Sequence, residues 1–451
     1  MTATYSIPGV YRQPKPRAEG FPRVRTDVAG FVGVAGPRFV GQAVAVDDWK
    51  GYVALFHGGH EAPPAGAMLH DALRSFFANG GRRAWVVNVA ASIDTERAQV
   101  LLNTMLGLAD DPKPHGLELL LRQDEVSIVV LPELDALHTV AQPRSDDDDP
   151  PGSPCFGACA RLGGAGVPAH HRPAPALELQ RLYSDEDLLW AQRYVITRLQ
   201  QARWRWFALF APPPGLSAEA AVQWRDRLTR GTDGNDVAAL YWPWLLQQRS
   251  PGEPILRRSP VAAVAGIFSA VDAERGPHAA PANRRIDDAV DLDGVGVDDE
   301  ANRIVYDAGV NVLRAVPGRG VALWGARTLL WQGDAAGEGG PLVFVNARRC
   351  LSAIARTAEV VGRPLVFEPN TALLRIRLHQ LMTDYLLRVF ATGALMGEQA
   401  EEGFFVSVDT VEDSPEGQLV CRIGVALAAP AEFIVFRIGR EGGVIERGEL
   451  A

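Results

Sequence analysis

Two cysteines and two histidines lie close together in the sequence and are residue types that bind zinc. Cys155 and Cys159 are followed by His170 and His171, and sets of two cysteines and two histidines form tetrahedral zinc sites at comparable spacings. Two adjacent histidines cannot easily bind one metal together, so the spacing favours a segment without metal. A zinc-binding adaptor that uses these residues stays as an alternative, while the sequence predicts no metal site.

An acidic run and a glycine-rich run in the same region could suggest calcium or phosphate binding. The aspartates at 146–149 lack the alternating spacing and the final glutamate of a calcium loop. The run RLGGAG at 161–166 lacks the Lys-Ser/Thr pair of a phosphate loop and does not join a strand to a helix. Both runs therefore indicate a solvated surface loop.

The residues that could act as nucleophiles or as acid/base pairs show no catalytic pattern. There is no G-x-S-x-G motif, and Cys350 and Cys421 lie on apolar faces, where buried thiols are inert. The carboxylates at 290–300 are typical of a turn-rich loop. We therefore predict that the protein is not an enzyme and binds no cofactor. A cofactor-dependent α/β enzyme, the alternative from another class, would need a glycine-rich strand-to-helix loop or paired catalytic residues.

Length and composition are those of a large folded protein. The 451 residues suggest about three domains, and 47% hydrophobic with 22% charged residues excludes a mainly disordered chain. A net charge of −9 makes nucleic acid a poor partner. The first residues lack the apolar core of a signal peptide, and no apolar run is long enough to cross a membrane. We therefore expect synthesis and assembly in the cytoplasm.

Helices and strands alternate along most of the chain, which predicts a mixed α/β (α+β) fold of several domains. Apolar residues recur with helical spacing at 69–77, 96–108, 188–201 and 218–229. Short apolar runs at 30–36, 84–89, 126–131 and 236–244 predict buried strands. We expect a solvent-facing insertion at about 132–175, where no period is visible, and a loop-rich stretch at 250–317.

The last part of the chain predicts two helices followed by three strands. The first helix contains Cys350 and ends at Gly362, and Asn370 is placed to cap the second helix, which covers residues 371–391. The strands are FFVSVD, LVCRIGVAL and EFIVFRI. At the other end, prolines in the first twenty residues exclude a helix, so this segment is expected to form an extended arm.

Several segments resemble contractile tail sheath proteins, in the family's order and over roughly four-fifths of the chain. They are YSIPGVY, DVAGFVGVAG, DALRSFFANGGRRAWVVNV, AALYWPW, VAAVAGIFSAVDAERGPHAAPAN, AGVNVLRAVPGRGVALWGARTL, LVFEPNTALLRIRLHQLMTDYLLRVFATGALMG and PAEFIVFRIG. Two features depart from the family. The insertion has no counterpart in it, and His278 stands where the family often has an aromatic residue.

The resemblance implies a structural subunit of a phage tail or a tail-like injection particle. Such subunits form stacked hexameric rings around an inner tube on a baseplate, and they contract to drive the tube through a target envelope. The implied partners are further copies of the chain, the inner tube protein, and baseplate and terminator or cap proteins. A sheath-like terminator or minor paralogue that caps the same assembly is the alternative.

The resemblance also implies a division of the chain. We expect an N-terminal arm at 1–20, the first part of a sheath core at 21–92, and a middle α/β domain at 93–316 that carries the insertion. A C-terminal sheath domain follows at 317–430, and a C-terminal strand and arm at 431–451.

Both ends of the chain are candidates for strand exchange between subunits. Extended apolar strands would aggregate if exposed in a monomer, whereas they supply main-chain hydrogen bonds when they complete a neighbour's sheet. The candidate residues are Tyr5, Ile7, Val10, Phe433, Val435 and Arg437. The alternative is that EFIVFRI is an internal strand of its own domain.

The helix at 371–391 is the candidate for contact with the inner tube. Arg377 and Arg388 lie on its polar face and could pair with acidic tube residues. A basic group near Arg348, Arg349 and Arg356 is a second candidate for the same contact. A solvated helix face remains the structural alternative.

Overall fold

The chain forms two compact units in a computed structural model that describes residues 24–59, 66–141, 177–202, 204–248, 255–294, 299–331, 340–409 and 418–432. The main unit comprises residues 25–350 and the residues after 428. The C-terminal unit contains residues 351–428. The predicted N-terminal arm, most of the insertion and the C-terminal strand lie outside the described residues.

A nine-stranded sheet forms the centre of the described part of the main unit. Its strands, in spatial order, are β11 (Arg284–Arg285), β14 (Gly320–Trp324), β13 (Asn311–Val316), β8 (Ala238–Trp242), β7 (Phe207–Phe210), β4 (Ile128–Val130), β1 (Ala29–Gly33), β3 (Ala84–Asn88) and β2 (Gln42–Val46). The six strands from β13 to β3 run parallel, and antiparallel strands complete both sides. The mixed α/β fold is therefore confirmed.

Helices cover both faces of this sheet because successive side chains of a strand point to opposite faces. In β1, Phe31 belongs to the core on one face and Val32 to the core on the other. The main-unit helices are α1 (Trp49–His57), α2 (Leu69–Ala78), α3 (Ala98–Leu106), α4 (Gly116–Leu120), α5 (Asp185–Gln201), α6 (Ala218–Thr229), α7 (Val261–Glu274) and α8 (Asp299–Asp307). Short 3₁₀ helices lie at Thr95–Arg97, Pro132–Asp135, Asn235–Val237 and Gly340–Val343.

Helix α7 lies in the stretch that the sequence predicts to be loop-rich, so this prediction is wrong. Eleven of its residues are buried, and an apolar sequence without amphipathic period is what a helix buried on all sides requires. The helix packs closely against α2. A Cβ atom at Gly266 would lie 2.4 Å from the carbonyl oxygen of Phe76, so only glycine permits this approach.

The first residues of the expected insertion, which the sequence predicts to begin at about residue 132, belong to the folded main unit. Pro132–Asp135 is a buried 3₁₀ helix, and β5 (Leu137–Ala141) pairs antiparallel with β6 (Leu177–Arg181). These two strands connect the main unit to residues 142–176, which the structure does not describe. A smaller three-stranded sheet in the order β10 (Leu256–Arg258), β9 (Trp244–Gln247) and β12 (Ala289–Asp293) completes the described strands of the main unit.

The C-terminal unit has its own small core. Helix α9 (Val345–Gly362) begins in the main unit and ends here, and it is followed by a 3₁₀ turn (Arg363–Leu365), α10 (Ala372–Ala391) and α11 (Ala400–Gly403). The hairpin of β15 (Phe404–Val408) and β16 (Cys421–Val425) packs on α10. Thr371, and not Asn370, caps α10, because its hydroxyl accepts from the Leu374 amide at 3.4 Å. The Asn370 side chain instead donates to the Gln418 carbonyl at 3.2 Å.

The expected domain boundaries differ from the divisions of this structure. No division occurs at 92/93, because β1 pairs with both β3 and β4 and so joins the two sides of that boundary in one sheet. Nor does one occur at 316/317, because β13 and β14 form a hairpin across it. The compact C-terminal unit begins only at Leu351.

Candidate assembly surfaces

One face of α10 is exposed and carries both predicted tube-facing arginines. The helix buries Leu374, Leu378 and Leu386 on its apolar face. Arg377 and Arg388 lie on the opposite, exposed side. Eleven residues separate them, which is about 16 Å along a helix.

Large apolar side chains share this exposed face with the two arginines. Leu373 is 76% exposed, Ile376 54% and Leu387 43%. A solvated helix face normally carries polar residues at such positions. The combination of apolar and basic side chains is therefore typical of a surface that another protein covers. We call this stripe the α10 surface.

A strained and fully exposed phenylalanine precedes the α10 surface. Phe367 has a φ angle of 71° and a relative exposure of 101%, and its neighbour Val366 is also exposed. Positive φ angles are uncommon for residues other than glycine and often mark functional sites. The sequence contains no signal for this conformation.

The β15–β16 hairpin is a second candidate surface. Its inner face contributes Val406, Val408, Cys421 and Ile423 to the small core, while Phe405 points outward and is 61% exposed. Among the described residues, the sheet has two strands. A two-stranded sheet is marginal by itself, and the backbone groups of an edge strand readily pair with a further chain.

The basic group at Arg348, Arg349 and Arg356 is buried, so its predicted role in contacting the tube is wrong for this structure. The Arg349 guanidinium donates to both Asp272 carboxylate oxygens at 2.8 and 2.7 Å, and to the Thr26 carbonyl at 2.9 Å. Burial raises the pKa of Asp272, and the positive charge of Arg349 offsets part of this rise. Arg348 is 1% exposed and pairs with Asp236 at 2.6 Å. Arg348 and Arg349 thus stabilise the fold through buried ion pairs.

The remaining predicted site residues fall outside the described part of the chain. These are the strand-exchange candidates Tyr5, Ile7, Val10, Phe433, Val435 and Arg437, and the four residues of the zinc alternative. In the residues that are described, no group of three or more His, Cys, Asp or Glu side chains could hold a metal ion. No helix among them is long and apolar enough to cross a membrane.

Two buried carboxylic acids stand out that the sequence analysis missed. Glu133 is completely buried, and its Oε1 accepts from the amides of Val34, Met68 and Leu69 at 3.1 Å each. Burial raises the pKa of Glu133 to about 7 and that of Asp135 to about 7. Met68, at the N-terminus of α2, has no side chain that could cap the helix. Glu133 acts as the cap instead, because it accepts from the first amides of this helix. Its partners are 64 to 99 residues away in sequence, so no local motif reveals them.

A histidine pair beside α2 was also missed. His57 Nε2 lies 3.1 Å from the Tyr52 hydroxyl and 3.4 Å from His70 Nδ1. Burial, followed by the charge of Arg38, lowers the pKa of His57. His57 packs in an aromatic cluster with Tyr52 and Trp49. We therefore assign a structural role to the histidine pair.

Comparison with known proteins identifies the family that the geometry resembles. Residues 190–329 match the phage tail sheath protein central domain. The chain is similar to the PVC sheath complex of an extracellular contractile injection system in the contracted state, with a TM-score of 0.64 and 22% identity over 98% of this chain and 99% of that chain.

Two structures of the anti-feeding prophage (AFP) are also similar. The baseplate in its contracted state gives a TM-score of 0.70 and 23% identity, over 97% of this chain and 100% of that one. The helical sheath in its contracted state gives a TM-score of 0.63 and 22% identity over the same shares of the two chains. No curated protein sequence matches the chain.

The predicted resemblance to contractile tail sheath proteins is thus confirmed. The matched central domain corresponds to the main unit from α5 to β14, and the structural similarity extends over nearly the whole chain. Residues 190–329 match the central domain of phage tail sheath proteins, and the chain has the fold of contractile sheath subunits.

Proposed function

We propose that the protein is the structural subunit of a contractile sheath. The observation that carries this proposal is the fold, which corresponds over 97% or more of the chain to proteins of contracted sheath and baseplate complexes. Copies of the chain would stack as hexameric rings around an inner tube and contract to drive that tube through a target envelope. Baseplate and terminator proteins would bind the ends of the assembly.

Strand exchange is the proposed link between copies. The hairpin β15–β16 supplies a sheet of two described strands, and an extended segment that adds to its edge gains main-chain hydrogen bonds. The donors are the N-terminal arm with Tyr5, Ile7 and Val10, and the C-terminal segment with Phe433, Val435 and Arg437. Such links would hold neighbouring copies together while the rings move.

The α10 surface is proposed to contact the inner tube. Arg377 is 60% exposed at its side chain, with Glu368 at 3.4 Å, and exposed ion pairs of this kind are individually weak. Weak pairs suit a contact that must form in the extended sheath and release on contraction. The apolar residues of the α10 surface add buried contact area, but they do not fix a single alignment of the sheath subunit on the tube.

The energy of contraction would come from contacts that form in the compact state. Several large side chains of the C-terminal unit are exposed in the single chain, among them Phe367 and Phe405. Burial of one such side chain contributes roughly 1.5–3 kcal/mol. Repeated in every subunit, contacts of this size would be sufficient for a stroke without nucleotide hydrolysis.

Negative-stain electron microscopy of the purified protein tests this function. We expect long, striated tubes, in the contracted state because no inner tube templates the extended one. Deletion of residues 2–11 should abolish the tubes, since it removes the donor strand. Deletion of ten residues from the insertion, 144–153, is the matched control and should leave the tubes intact.

Two outcomes would change the assignment. Discrete rings in place of tubes, with and without the tube protein, would favour the sheath-like terminator or minor paralogue. A chain that stays monomeric even with the tube protein present would contradict the sheath proposal.

A further inference from the structure

Arg327 forms an unusual buried contact at the end of the matched central domain. Its guanidinium lies between two aromatic rings, 3.7 Å from the ring centre of Tyr306 and 3.6 Å from that of Trp331. The side chain is 3% exposed. A guanidinium held between two aromatic faces has few remaining directions for hydrogen bonds, so its partners are fixed in the plane of the group.

The partner in that plane is Glu432. Arg327 Nε donates to Glu432 Oε1 at 3.1 Å and Nη2 donates to Oε2 at 2.6 Å, and the Tyr306 hydroxyl also donates to this carboxylate. The third guanidinium nitrogen, Nη1, donates to the Tyr306 carbonyl at 2.7 Å. Two parallel charge-assisted bonds of this kind are strong and geometrically specific.

The surrounding residues hold Arg327 and Trp331 in place. The Asn311 side chain bonds both the amide and the carbonyl of Arg327, at 2.7 and 2.8 Å, and it is fully buried. Gly309, at a φ angle of 83°, leaves room for the indole, because a Cβ atom there would lie 2.8 Å from Trp331 Cδ1. The contact between Arg327 and Glu432 is thus part of the fold of the main unit.

Glu432 has a special position in the chain. The chain leaves the main unit at Cys350, forms the C-terminal unit, and returns to the main unit after Ala428. Glu432 is the last described residue after this return, immediately before the EFIVFRI segment continues at Phe433.

We propose that Arg327 and Tyr306 clamp Glu432 and thereby fix, on the main unit, the point at which the C-terminal segment begins. Arg327 is in this sense a positioning residue for that segment. The consequence for assembly rests on the proposed function. A segment that pairs with a neighbouring copy would transmit tension to the central domain through this clamp.

Proteolysis by Glu-C endoproteinase of the dilute, unassembled chain tests the clamp, since this enzyme cuts after glutamate and needs an accessible side chain. Cleavage after Glu432 reports release of the clamp, and cleavage after Glu133, which is completely buried, reports global unfolding. Arg327→Met should accelerate cleavage after Glu432 by on the order of 100-fold, because it leaves a largely buried carboxylate without its cationic partner. Arg327→Lys, which cannot make the bidentate contact, should give a smaller acceleration.

A matched control comes from another ion pair of the main unit. Arg258 pairs with Asp71 at a side-chain exposure of 15%, and Arg258→Met should leave cleavage after Glu432 unchanged. Tyr306→Phe keeps the ring but loses the hydroxyl, and should accelerate the cleavage a few-fold even if Arg327→Met does not fold.

Equal cleavage after Glu432 in the wild type, Arg327→Lys and Tyr306→Phe would overturn the proposal. So would a parallel rise of cleavage after Glu432 and Glu133, because the two residues would then respond only to global stability. Since the assay needs no assembly, its result is independent of whether the chain forms tubes.

Discussion

Replacement of Glu133 by glutamine should change how the stability of the main unit depends on pH. The carboxyl group is completely buried, and burial raises its pKa from an ordinary value of 4.5 to about 7. Between these two values the folded chain binds a proton that the unfolded chain does not. The free energy of unfolding therefore falls as the pH rises from about 4.5 to about 7.

The size of the effect follows from the pKa difference. The difference between the two pKa values, from 4.5 to about 7, corresponds to roughly 3 kcal/mol. Glutamine keeps an oxygen for the three backbone amides but does not titrate. Relative to the wild type, Glu133→Gln should therefore gain about 3 kcal/mol of stability between pH 4.5 and pH 8, on top of a constant offset from the new amide group.

Urea unfolding of both proteins at pH 5 and pH 8, followed by tryptophan fluorescence, measures this difference. Asp135→Asn serves as a companion variant, because burial also raises the pKa of Asp135 to about 7, and its difference from the wild type should move in the same direction. If the stability difference between Glu133→Gln and the wild type is the same at both pH values, Glu133 does not carry the proton and the reasoning is refuted.

Three further substitutions test the fold and the exposed surfaces. Gly266→Ala places a methyl group 2.4 Å from the Phe76 carbonyl oxygen. It should lower the free energy of unfolding by about 1–3 kcal/mol, measured by thermal unfolding. Gly362→Ala is its control, with no atom within 4 Å of the new methyl, and a similar loss there would contradict the packing argument. Thr371→Ala removes the cap of α10 and should cost about 1 kcal/mol, whereas an unchanged melting temperature would show that this cap contributes nothing. Phe367→Gly relieves a positive φ angle and should leave the melting temperature of the unassembled chain equal or higher while reducing tube formation; normal tubes would exclude Phe367 from the assembly contact.

Local patterns were sufficient for many elements. The helical period at 69–77 corresponds to α2 at Leu69–Ala78, and the period at 218–229 matches α6 residue for residue. The run at 84–89 corresponds to β3. The two helices bury one side, and β3 lies between two neighbouring strands of the sheet, so their own residues carry the signal.

Helix α7 shows where local patterns fail. Its apolar residues continue around the whole helix, so the sequence shows no period. Local patterns also do not reveal where the compact units of this structure begin and end. Parallel strands pair with partners that are distant in the chain, so a change of composition along the sequence does not mark the edge of a sheet.

The sequence by itself determined the α/β class, the positions of the long amphipathic helices and of several buried strands, and the resemblance to contractile tail sheath proteins. It also placed Arg377 and Arg388 on the polar side of α10. Only the tertiary structure decided which charges are buried. Arg327, Arg349 and Glu133 look like surface residues in the sequence, but each is buried against a partner that is distant in the chain. The Glu133 carboxylate accepts from an amide 64 residues away, Arg327 pairs with a carboxylate 105 residues away, and Arg349 donates to a carbonyl 323 residues away. A charge enters the interior only where such partners satisfy it, and the fold alone brings them together.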